Sequence, residues 1–329
     1  MAGANGKVTV IAEMEEGGRP SRITLELLGL GKRLASPQGE VSAVVLGSGV
    51  KEACAELASR GADQVFYLDH PSLSPYNPEA WTQVLKPFLR ERGEGVVLAG
   101  HTPLGQDLLP RLAFSLQAGV VTDCVGVRAE EGGLLFTKPV YGGNALAEVR
   151  VTTPLALATV RSRVGEALPA SDLGKEPVPL PLDPPEETRM LVRERHRLEA
   201  GECPLEEARV VVSGGRGMGG EEGFEVLREL ARILGGAVGA SRPPVDSGWA
   251  PTTCQVGITG KVVAPDLYIA VAISGSSQHL SGMADSGKIV AVNRDPEAYI
   301  FQVSDYGVVG DWREVLPTFL SKVRELVSE

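Results

Sequence analysis

Short apolar runs rich in β-branched residues recur along this chain, and segments with helical spacing of apolar residues separate them. In the first half, the predicted strands are residues 7–13, 41–46, 64–68, 95–99, 120–127 and 155–160. The first predicted helix there begins after Ser21, which would be its N-cap, and the other helices span residues 52–60, 79–92 and 108–117. A hairpin insertion is predicted at 134–149. Strands that alternate with helices form parallel, doubly wound sheets, so we predict an α/β fold.

A length of 329 residues favours two domains. A proline-rich connector begins near residue 171, and a charged run follows it, typical of an edge strand or a wrapping arm. His196 in that run is expected to be solvated. We place the domain boundary near Ala200, with a Rossmann-like domain over residues 1–200 and a second α/β domain over 201–329.

Composition excludes several classes of protein. The formal net charge of -10 argues against nonspecific nucleic-acid binding, and no apolar run is long enough to span a membrane. The N-terminal residues lack a charged leader, so we expect a cytoplasmic protein. The histidines are dispersed and predict no metal site. The cysteines are also scattered, which favours reduced thiols: Cys54, Cys124, Cys203 and Cys254.

The second domain contains a glycine-rich loop between a predicted strand (208–213) and a predicted helix (222–234). Gly215, Gly217 and Gly220 match G-x-G-x-x-G, which is typical of a nicotinamide dinucleotide site. However, the next strand (237–241) ends in Ser241-Arg242 and lacks the acidic residue that would bind the ribose. Arg216 inside the loop could contact a phosphate directly. A glycine turn without a ligand remains an alternative.

Polar residues follow the other predicted strands of this domain. Two buried strands, 267–273 and 288–292, flank Ser274–His279 and a helix that starts near Gln278. Because ligands bind at the carboxyl ends of parallel strands, we expect His279 to share a crevice with other strand-end residues. These are Ser274, Gln278, Arg242 and Thr259, with Asp246–Trp249, Gln255–Lys261, Asn293, Asp305–Gly307 and Asp311 as further strand-end turns. Lys261 is expected to be a solvated cation.

The first domain offers two weaker candidates. His101–Gly105 could bind an anion at a helix start, but a helix cap at Thr102 with a tight turn at Gly105 is the favoured interpretation. Tyr141–Asn144 is predicted to be a hairpin turn in which glycine and asparagine supply positive φ.

Several stretches together resemble the alpha subunit of electron transfer flavoprotein. In the second domain they are VVVSGGRG, VGASR with VDSGW, QVG followed by TGK, ISG with QHL, IVAVNRDPEA and IFQVSDYGVVGD. In the first domain they are VIAE, LGQDLLPRLAFSL, Asp123-Cys124, PVYGGNALAEV and ATVR. The resemblance covers nearly the whole chain apart from the connector.

The resemblance implies an FAD held by the second domain, in a heterodimer with a beta subunit that carries AMP. It also implies one-electron transfer from acyl-CoA dehydrogenases and similar flavoenzymes to a membrane quinone oxidoreductase, with no catalytic acid, nucleophile or metal. By the same resemblance, Arg242 lies beside the isoalloxazine ring, Thr259 near its reactive nitrogen and His279 near its pyrimidine carbonyl. The implied FAD contacts are Arg216, Ser241, Arg242, Gln255, Val256, Gly257, Ile258, Thr259, Ser274, Gly275, Ser276, Ser277, Gln278, His279, Asn293, Asp311 and Trp312.

This sequence departs from the family pattern at Ile258, at Ser276-Ser277 and at Pro243-Pro244, which leaves the tuning of the flavin open. The subtype is also open, because an electron-bifurcating relative would hold a second FAD in its beta subunit. Two functions of other classes remain as rivals. One is a nicotinamide-dependent dehydrogenase, and the other is a noncatalytic subunit whose glycines only turn the chain.

Overall fold

The computed structural model describes residues 6–15, 17–35, 39–143, 145–171, 175–181, 183, 188–194, 205–206 and 208–328. The chain divides into two compact units, Met1–Val140 with Ala145–Arg195 and Tyr141–Asn144 with His196–Glu329. The boundary expected near Ala200 lies outside the described residues and stays a prediction, as does the solvated state of His196.

The first unit contains a seven-stranded parallel sheet in the order β10-β3-β2-β1-β4-β9-β5. Its strands are β1 (Lys7–Ile11), β2 (Glu40–Gly47), β3 (Gln64–Asp69), β4 (Gly95–Gly100), β5 (Gly119–Cys124), β9 (Leu155–Val160) and β10 (Val178–Pro179). Its helices are α1 (Arg22–Leu34), α2 (Ala53–Ser59), α3 (Pro78–Arg92) and α4 (Pro103–Leu116). A separate antiparallel sheet consists of β6 (Gly126–Glu130), β7 (Gly133–Val140) and β8 (Ala145–Arg150).

Helices cover both faces of the seven-stranded sheet, because successive residues of a central strand enter different cores. Val10 packs in one buried apolar cluster, and Ile11 packs in the other. Side chains alternate between the faces of a strand, so both faces of β1 are buried. The predicted doubly wound α/β fold is confirmed.

Two local predictions for the first unit differ from the structure. Helix α4 begins at Pro103, and Gly105 lies inside it, so the predicted tight turn at Gly105 is wrong, although Thr102 does cap the helix. A Cβ on Gly105 would lie 1.9 Å from the carbonyl oxygen of Gly100, which explains the glycine. The predicted strand 120–127 is two strands in different sheets. The turn predicted at Tyr141–Asn144 does join the antiparallel strands β7 and β8, and Gly143 supplies positive φ as predicted, while Tyr141 has positive φ as well. Asn144 lies outside the described residues.

The second unit contains a five-stranded parallel sheet in the order β12-β11-β13-β14-β15. The strands are β11 (Val210–Gly214), β12 (Ala237–Ala240), β13 (Leu267–Val271), β14 (Lys288–Asn293) and β15 (Tyr306–Val309). The helices are α5 (Glu221–Ile233), α6 (Arg242–Asp246), α7 (Ser277–Leu280) and α8 (Trp312–Ser328). The order of strands reverses between β11 and β13, which is where open α/β sheets bind ligands.

One predicted strand-end turn of this unit is wrong. Residues 306–309 form the edge strand β15, so Asp305 precedes a strand. Its backbone N–H donates to the carbonyl oxygen of Ile289 at 2.9 Å, and its carboxylate pairs with Lys288 at 2.7 Å. Asp305 therefore lies at the amino ends of β14 and β15, away from the crevice.

Among the described helices, none is long and apolar enough to cross a membrane. The described part of the chain also has no group of three or more His, Cys, Asp or Glu residues that could hold a metal ion. Cys54 and Cys124 are buried free thiols, Cys254 is half-buried and Cys203 lies outside the described residues.

Candidate functional site

The candidate site lies at the carboxyl edge of the sheet in the second unit, where β11, β12 and β13 lead into polar loops. The loop after β11 is glycine-rich and enters α5, and the loop after β12 becomes the short helix α6. The loop after β13 passes through Ser274–Ser276 into α7. Because all these strands are parallel, their loops meet on one side, at the switch point of the strand order.

The glycine-rich loop lies directly against the end of β13. A Cβ on Gly215 would lie 2.1 Å from the carbonyl oxygen of Ala272, and one on Gly217 would lie 2.9 Å from the Cβ of Ala272. Only glycine permits this approach without moving the backbone of β13. Met218 is buried beneath the loop, while the side chain of Arg216 is exposed. The loop thus presents a cation at the carboxyl edge of the sheet.

A second cation, Arg242, follows β12. The backbone N–H of Ser241 donates to the carbonyl oxygen of Gly214 at 3.0 Å, which fixes the start of the loop. The Nε of Arg242 pairs with Asp246 at 3.2 Å, one helical turn later. No described residue pairs with the two terminal nitrogens of this guanidinium, whose side chain is 65% exposed. Those nitrogens remain available to an anion or to an aromatic ring.

The loop Gln255–Lys261 packs between the end of β12 and the segment around α7. The N–H of Val256 donates to Ala240 at 2.9 Å, and the N–H of Ile258 donates to the carbonyl oxygen of Gln278 at 2.8 Å. The hydroxyl of Thr259 accepts a hydrogen bond from the amide of Gln255 at 2.9 Å. Its own O–H is therefore free to donate. Lys261 is half-buried and pairs with Glu206 at 2.6 Å, so it is not the solvated cation that was predicted.

The turn after β13 exposes backbone donors. The N–H groups of Ile273, Ser274, Gly275 and Ser276 make no hydrogen bond to any described residue. Gly275 has φ +83°, and a Cβ there would lie 2.2 Å from the nitrogen of Ile300. Glycine is therefore required for the turn, and consecutive unpaired donors of this kind favour an anion.

His279 is buried behind this turn, with only 4% of its surface exposed. Its Nε2 lies 3.0 Å from the hydroxyl of Tyr268, and its Nδ1 lies 3.1 Å from the carbonyl oxygen of Val256. Burial lowers the pKa of His279 to about 4, so the imidazole is neutral at physiological pH. Both ring nitrogens have protein partners, and His279 donates no hydrogen bond toward the crevice in this arrangement.

A cleft at the ends of β13, β14 and β15 completes the edge. It is lined by Gly217, Ala272, Val292, Asn293, Arg294, Gly310, Asp311 and Trp312. The indole N–H of Trp312 donates to Gly217 at 3.1 Å, and the amide of Asn293 donates to Ile273 at 2.8 Å. An indole ring, an amide oxygen and a carboxylate suit an aromatic base attached to a sugar with hydroxyl donors.

The structure brings the predicted residues to the carboxyl edge in two groups. The loops with Arg216, Ser241, Arg242, Gln255–Thr259 and Ser274–His279 surround the ends of β11, β12 and β13, and Asn293, Asp311 and Trp312 lie at the cleft. Sequence reasoning missed Tyr268, and it placed Asp246 in a strand-end turn without recognising it as the partner of Arg242. Tyr268 sits within an apolar strand, where a tyrosine looks like core, and only Asp246 carried a signal, through its spacing of four residues from Arg242.

A parallel sheet with a glycine-rich first turn and polar loops at its switch point defines a class of α/β domain that binds nucleotides. The chain belongs to the electron transfer flavoprotein family, as its alpha subunit. The family model described as "Electron transfer flavoprotein domain" matches residues 8–182, and the "Electron transfer flavoprotein FAD-binding domain" matches residues 204–284. The resemblance seen in the sequence is confirmed.

Curated relatives match over almost their full length. The electron transfer flavoprotein subunit alpha of Bacillus subtilis is 39% identical over 97% of this chain and 98% of its own. Protein FixB of Clostridium saccharobutylicum is 41% identical over 98% and 97%, respectively. The mitochondrial electron transfer flavoprotein subunit alpha of Dictyostelium discoideum is 40% identical over 88% of this chain and 85% of its own.

Proposed function

We propose that the second unit binds FAD and that the chain serves as the flavin-carrying subunit of a one-electron carrier. The observation that carries this proposal is the row of unpaired backbone N–H groups at residues 273–276, at the sheet edge where Arg216 and Arg242 also lie. The match of residues 204–284 to the FAD-binding family model supports the same ligand.

The donors at the crevice suit the pyrophosphate of a dinucleotide. Two phosphate charges are stabilised by backbone N–H groups and by guanidinium groups, which form short charge-assisted hydrogen bonds. Residues Ile273–Ser276 supply the backbone N–H groups. Arg216 supplies a guanidinium group, which has no ion-pair partner among the described residues. Asn293, Asp311 and Trp312 in the adjacent cleft would hold the adenosine.

The isoalloxazine ring would lie toward Arg242 and the Gln255–Lys261 loop. FAD, when bound, supplies the chemistry of accepting and releasing electrons one at a time. Arg242 stays charged at any working pH, and its terminal nitrogens stabilise negative charge on the ring. The Thr259 hydroxyl can donate to a ring nitrogen, and backbone groups of Val256–Ile258 can contact the ring edge even though Ile258 lacks an amide side chain.

The nicotinamide alternative is weaker. Its ribose would need a carboxylate at the end of β12, where Ser241 and Arg242 lie. Asp246 is the nearest acidic residue along the chain, and it pairs with Arg242. The geometry therefore favours a flavin dinucleotide without an acidic ribose ligand at this strand.

We further propose a heterodimer with a beta subunit that holds AMP, with acyl-CoA dehydrogenases as electron donors and a membrane quinone oxidoreductase as the acceptor. Several relatives carry the name "subunit alpha", which supports a partner subunit. A cytoplasmic location is part of the proposal. In the bifurcating alternative, the beta subunit would hold a second FAD.

The test is to purify the chain with its beta subunit, count flavins per heterodimer and reduce the complex in steps. We expect one flavin, or two in the bifurcating case. Arg242→Ala should lower the first reduction potential of the flavin by roughly 60 mV, a tenfold change in the equilibrium constant, because it removes a cation beside the ring. Arg232→Ala, an exposed residue of α5, is the matched control. A complex without flavin that instead transfers hydride from NADH would overturn the proposal.

A further inference from the structure

Tyr268 in β13 determines which nitrogen of His279 carries a proton. The phenol is fully buried, and its oxygen lies 3.0 Å from Nε2 of His279. The other ring nitrogen lies 3.1 Å from the carbonyl oxygen of Val256. Because a carbonyl can only accept, Nδ1 carries the proton, and Nε2 accepts the hydrogen bond from Tyr268.

A second buried hydroxyl lies beside Tyr268. Ser213 in the neighbouring strand β11 is completely buried, and its Oγ has no hydrogen-bond partner in the described structure. Its side chain lies on the same face of the sheet as the phenol, because Ser213 pairs with Ala270 in the parallel register of β11 with β13 and Tyr268 is two residues before Ala270. A Cβ on Gly239 would lie 2.2 Å from this Oγ, so the glycine makes room for the hydroxyl. An unpaired buried hydroxyl costs free energy, which leaves Ser213 an unused acceptor.

The described neighbours of His279 place no charge beside it. On the Gln255–Lys261 loop the cation is Lys261, which pairs with Glu206. On the β13 side, Asp266 before the strand pairs with Arg209. Burial and the carbonyl oxygen of Val256 are the influences on the pKa of His279, and burial lowers it. Its protonation therefore depends on hydrogen-bond partners more than on nearby charges.

We propose that Ser213, Tyr268 and His279 form a buried hydrogen-bond relay that fixes the tautomer of His279 and lets it take up one proton at Nε2. This inference rests on the proposed flavin site, since His279 lies behind the turn that would contact the cofactor. Tyr268 and Ser213 are positioning residues in this scheme, because they act through His279.

The relay takes up a proton, and no electron is transferred in this step. A hydronium ion of the solvent transfers its proton to Nε2 of His279 and becomes water, so the imidazole gains one positive charge. Tyr268 keeps its own proton but turns its O–H from Nε2 to the Oγ of Ser213. The phenol oxygen then accepts from the new Nε2–H, and Nδ1 continues to donate to Val256. Every polar atom of the relay has a partner in the protonated state, and Ser213 gains the one it lacks now.

The first test is nuclear magnetic resonance on the flavin-free complex with 15N-labelled histidine, using His279→Gln to assign the signals. We expect the wild type near neutral pH to show the tautomer protonated at Nδ1. Tyr268→Phe should yield a mixture of tautomers, while Ser213→Ala and the exposed control Tyr306→Phe should keep the wild-type pattern. A proton on Nε2 in the wild type, or an unchanged pattern in Tyr268→Phe, would overturn the relay.

The second test measures how the first reduction potential of the flavin-loaded complex depends on pH. Ser213→Ala should weaken protonation of His279 about tenfold, which is the effect of losing one hydrogen bond. The pH dependence of the reduction potential should therefore move to lower pH by about one pH unit. Ser304→Ala, a loop hydroxyl bonded to Phe301, is the control. Identical profiles for the two variants would refute the role of Ser213. A complex that binds no flavin would instead refute the proposed function, while the resonance experiment would still decide the relay.

Discussion

Gly215 and Gly220 belong to the same glycine motif, yet the structure constrains them in opposite ways. A Cβ on Gly215 would lie 2.1 Å from a backbone oxygen of Ala272, whereas a Cβ on Gly220 would meet nothing within 4 Å. Gly220 is also extended, with φ 167°, a conformation that any residue adopts, and it is the N-cap of α5. The motif is therefore required for packing at its first glycine and not at its last.

We expect Gly215→Ser to lower the free energy of unfolding by more than about 2 kcal/mol, because the backbone of β13 must move to admit the side chain. The same substitution at Gly220 should leave stability unchanged or raise it slightly, because serine is a favourable N-cap. Urea unfolding of both variants measures the difference. Equal losses for the two would contradict the close approach seen at Ala272.

Glu13 follows β1 in the first unit; its carboxyl group is half-buried and has no cation as a partner among the described residues. Thr102 donates its hydroxyl to both carboxylate oxygens at 2.8 Å. Burial is the largest influence and raises the pKa of Glu13 from 4.5 to about 7, against the hydrogen bonds from Thr102 and the backbone at Gly100. The folded protein thus binds a proton at Glu13 more tightly than the unfolded chain does.

The sign of the resulting pH dependence follows from that difference. The stability that protonated Glu13 contributes is fully present below about pH 4.5 and is lost as the pH rises through about 7, to a total of about 3 kcal/mol. Glu13→Gln should remove this slope of the free energy of unfolding against pH. Glu15→Gln, which changes an exposed carboxylate nearby, should keep the slope. Urea unfolding at a series of pH values checks it; a slope that survives in Glu13→Gln would locate its origin elsewhere.

At the scale of elements, the N-terminus of α3 is hydrogen-bonded to the segment that follows the proline-rich connector. The side-chain oxygen of Asn77 accepts from the N–H groups of Glu79 and Ala80, which caps the helix. The amide nitrogen of the same side chain donates to Met190 at 2.8 Å. Met190 and Arg189 also donate backbone N–H groups to Glu79. This agrees with the wrapping arm that the charged run predicts.

Two substitutions at Asn77 separate the cap from the arm. Asn77→Asp keeps an oxygen for the cap and a negative charge at the helix start, but it loses the donor to Met190. We expect it to retain most of the stability and to speed proteolysis at Arg193. Asn77→Ala should lose both functions and destabilise the protein by about 1 kcal/mol or more. If Asn77→Asp were cleaved at the wild-type rate, the arm would be held by Glu79 alone.

The sequence predicted most elements but misjudged their ends where tertiary contacts decide. Gly105 looks like a turn residue, yet it lies in α4 because the helix passes within contact distance of Gly100. Asp305–Gly307 has turn composition, yet pairing with β14 extends residues 306–309 into an edge strand. Tyr268 gave no signal as a partner of His279, since the two residues meet only through the packing of β13 against the segment with α7. Periodicity thus predicted the layers, and non-local packing decided the details of the site.

At the scale of the whole molecule, each unit has its own apolar cores. The two clusters of the second unit draw their buried residues from Leu205 to Leu320, and none comes from the seven-stranded sheet. About 130 residues suffice for a domain to bury a stable core. Leu205 is 4% exposed and packs in one of these clusters, so the folded unit extends a few residues before β11.

We therefore expect a fragment of residues 201–329 to unfold cooperatively in urea, with the circular dichroism of a folded α/β domain. A fragment of residues 208–329 lacks Leu205 and should be less stable by about 1.5–3 kcal/mol, the contribution of one buried leucine side chain. Within the longer fragment, Leu205→Ala should account for most of that difference, while Glu206→Ala should change stability by less than about 1 kcal/mol, because its pair with Lys261 is partly exposed. Equal stability of the two fragments would place the start of the folding unit after Leu205, and loss of cooperative unfolding in both would mean that the second unit needs the rest of the chain to fold.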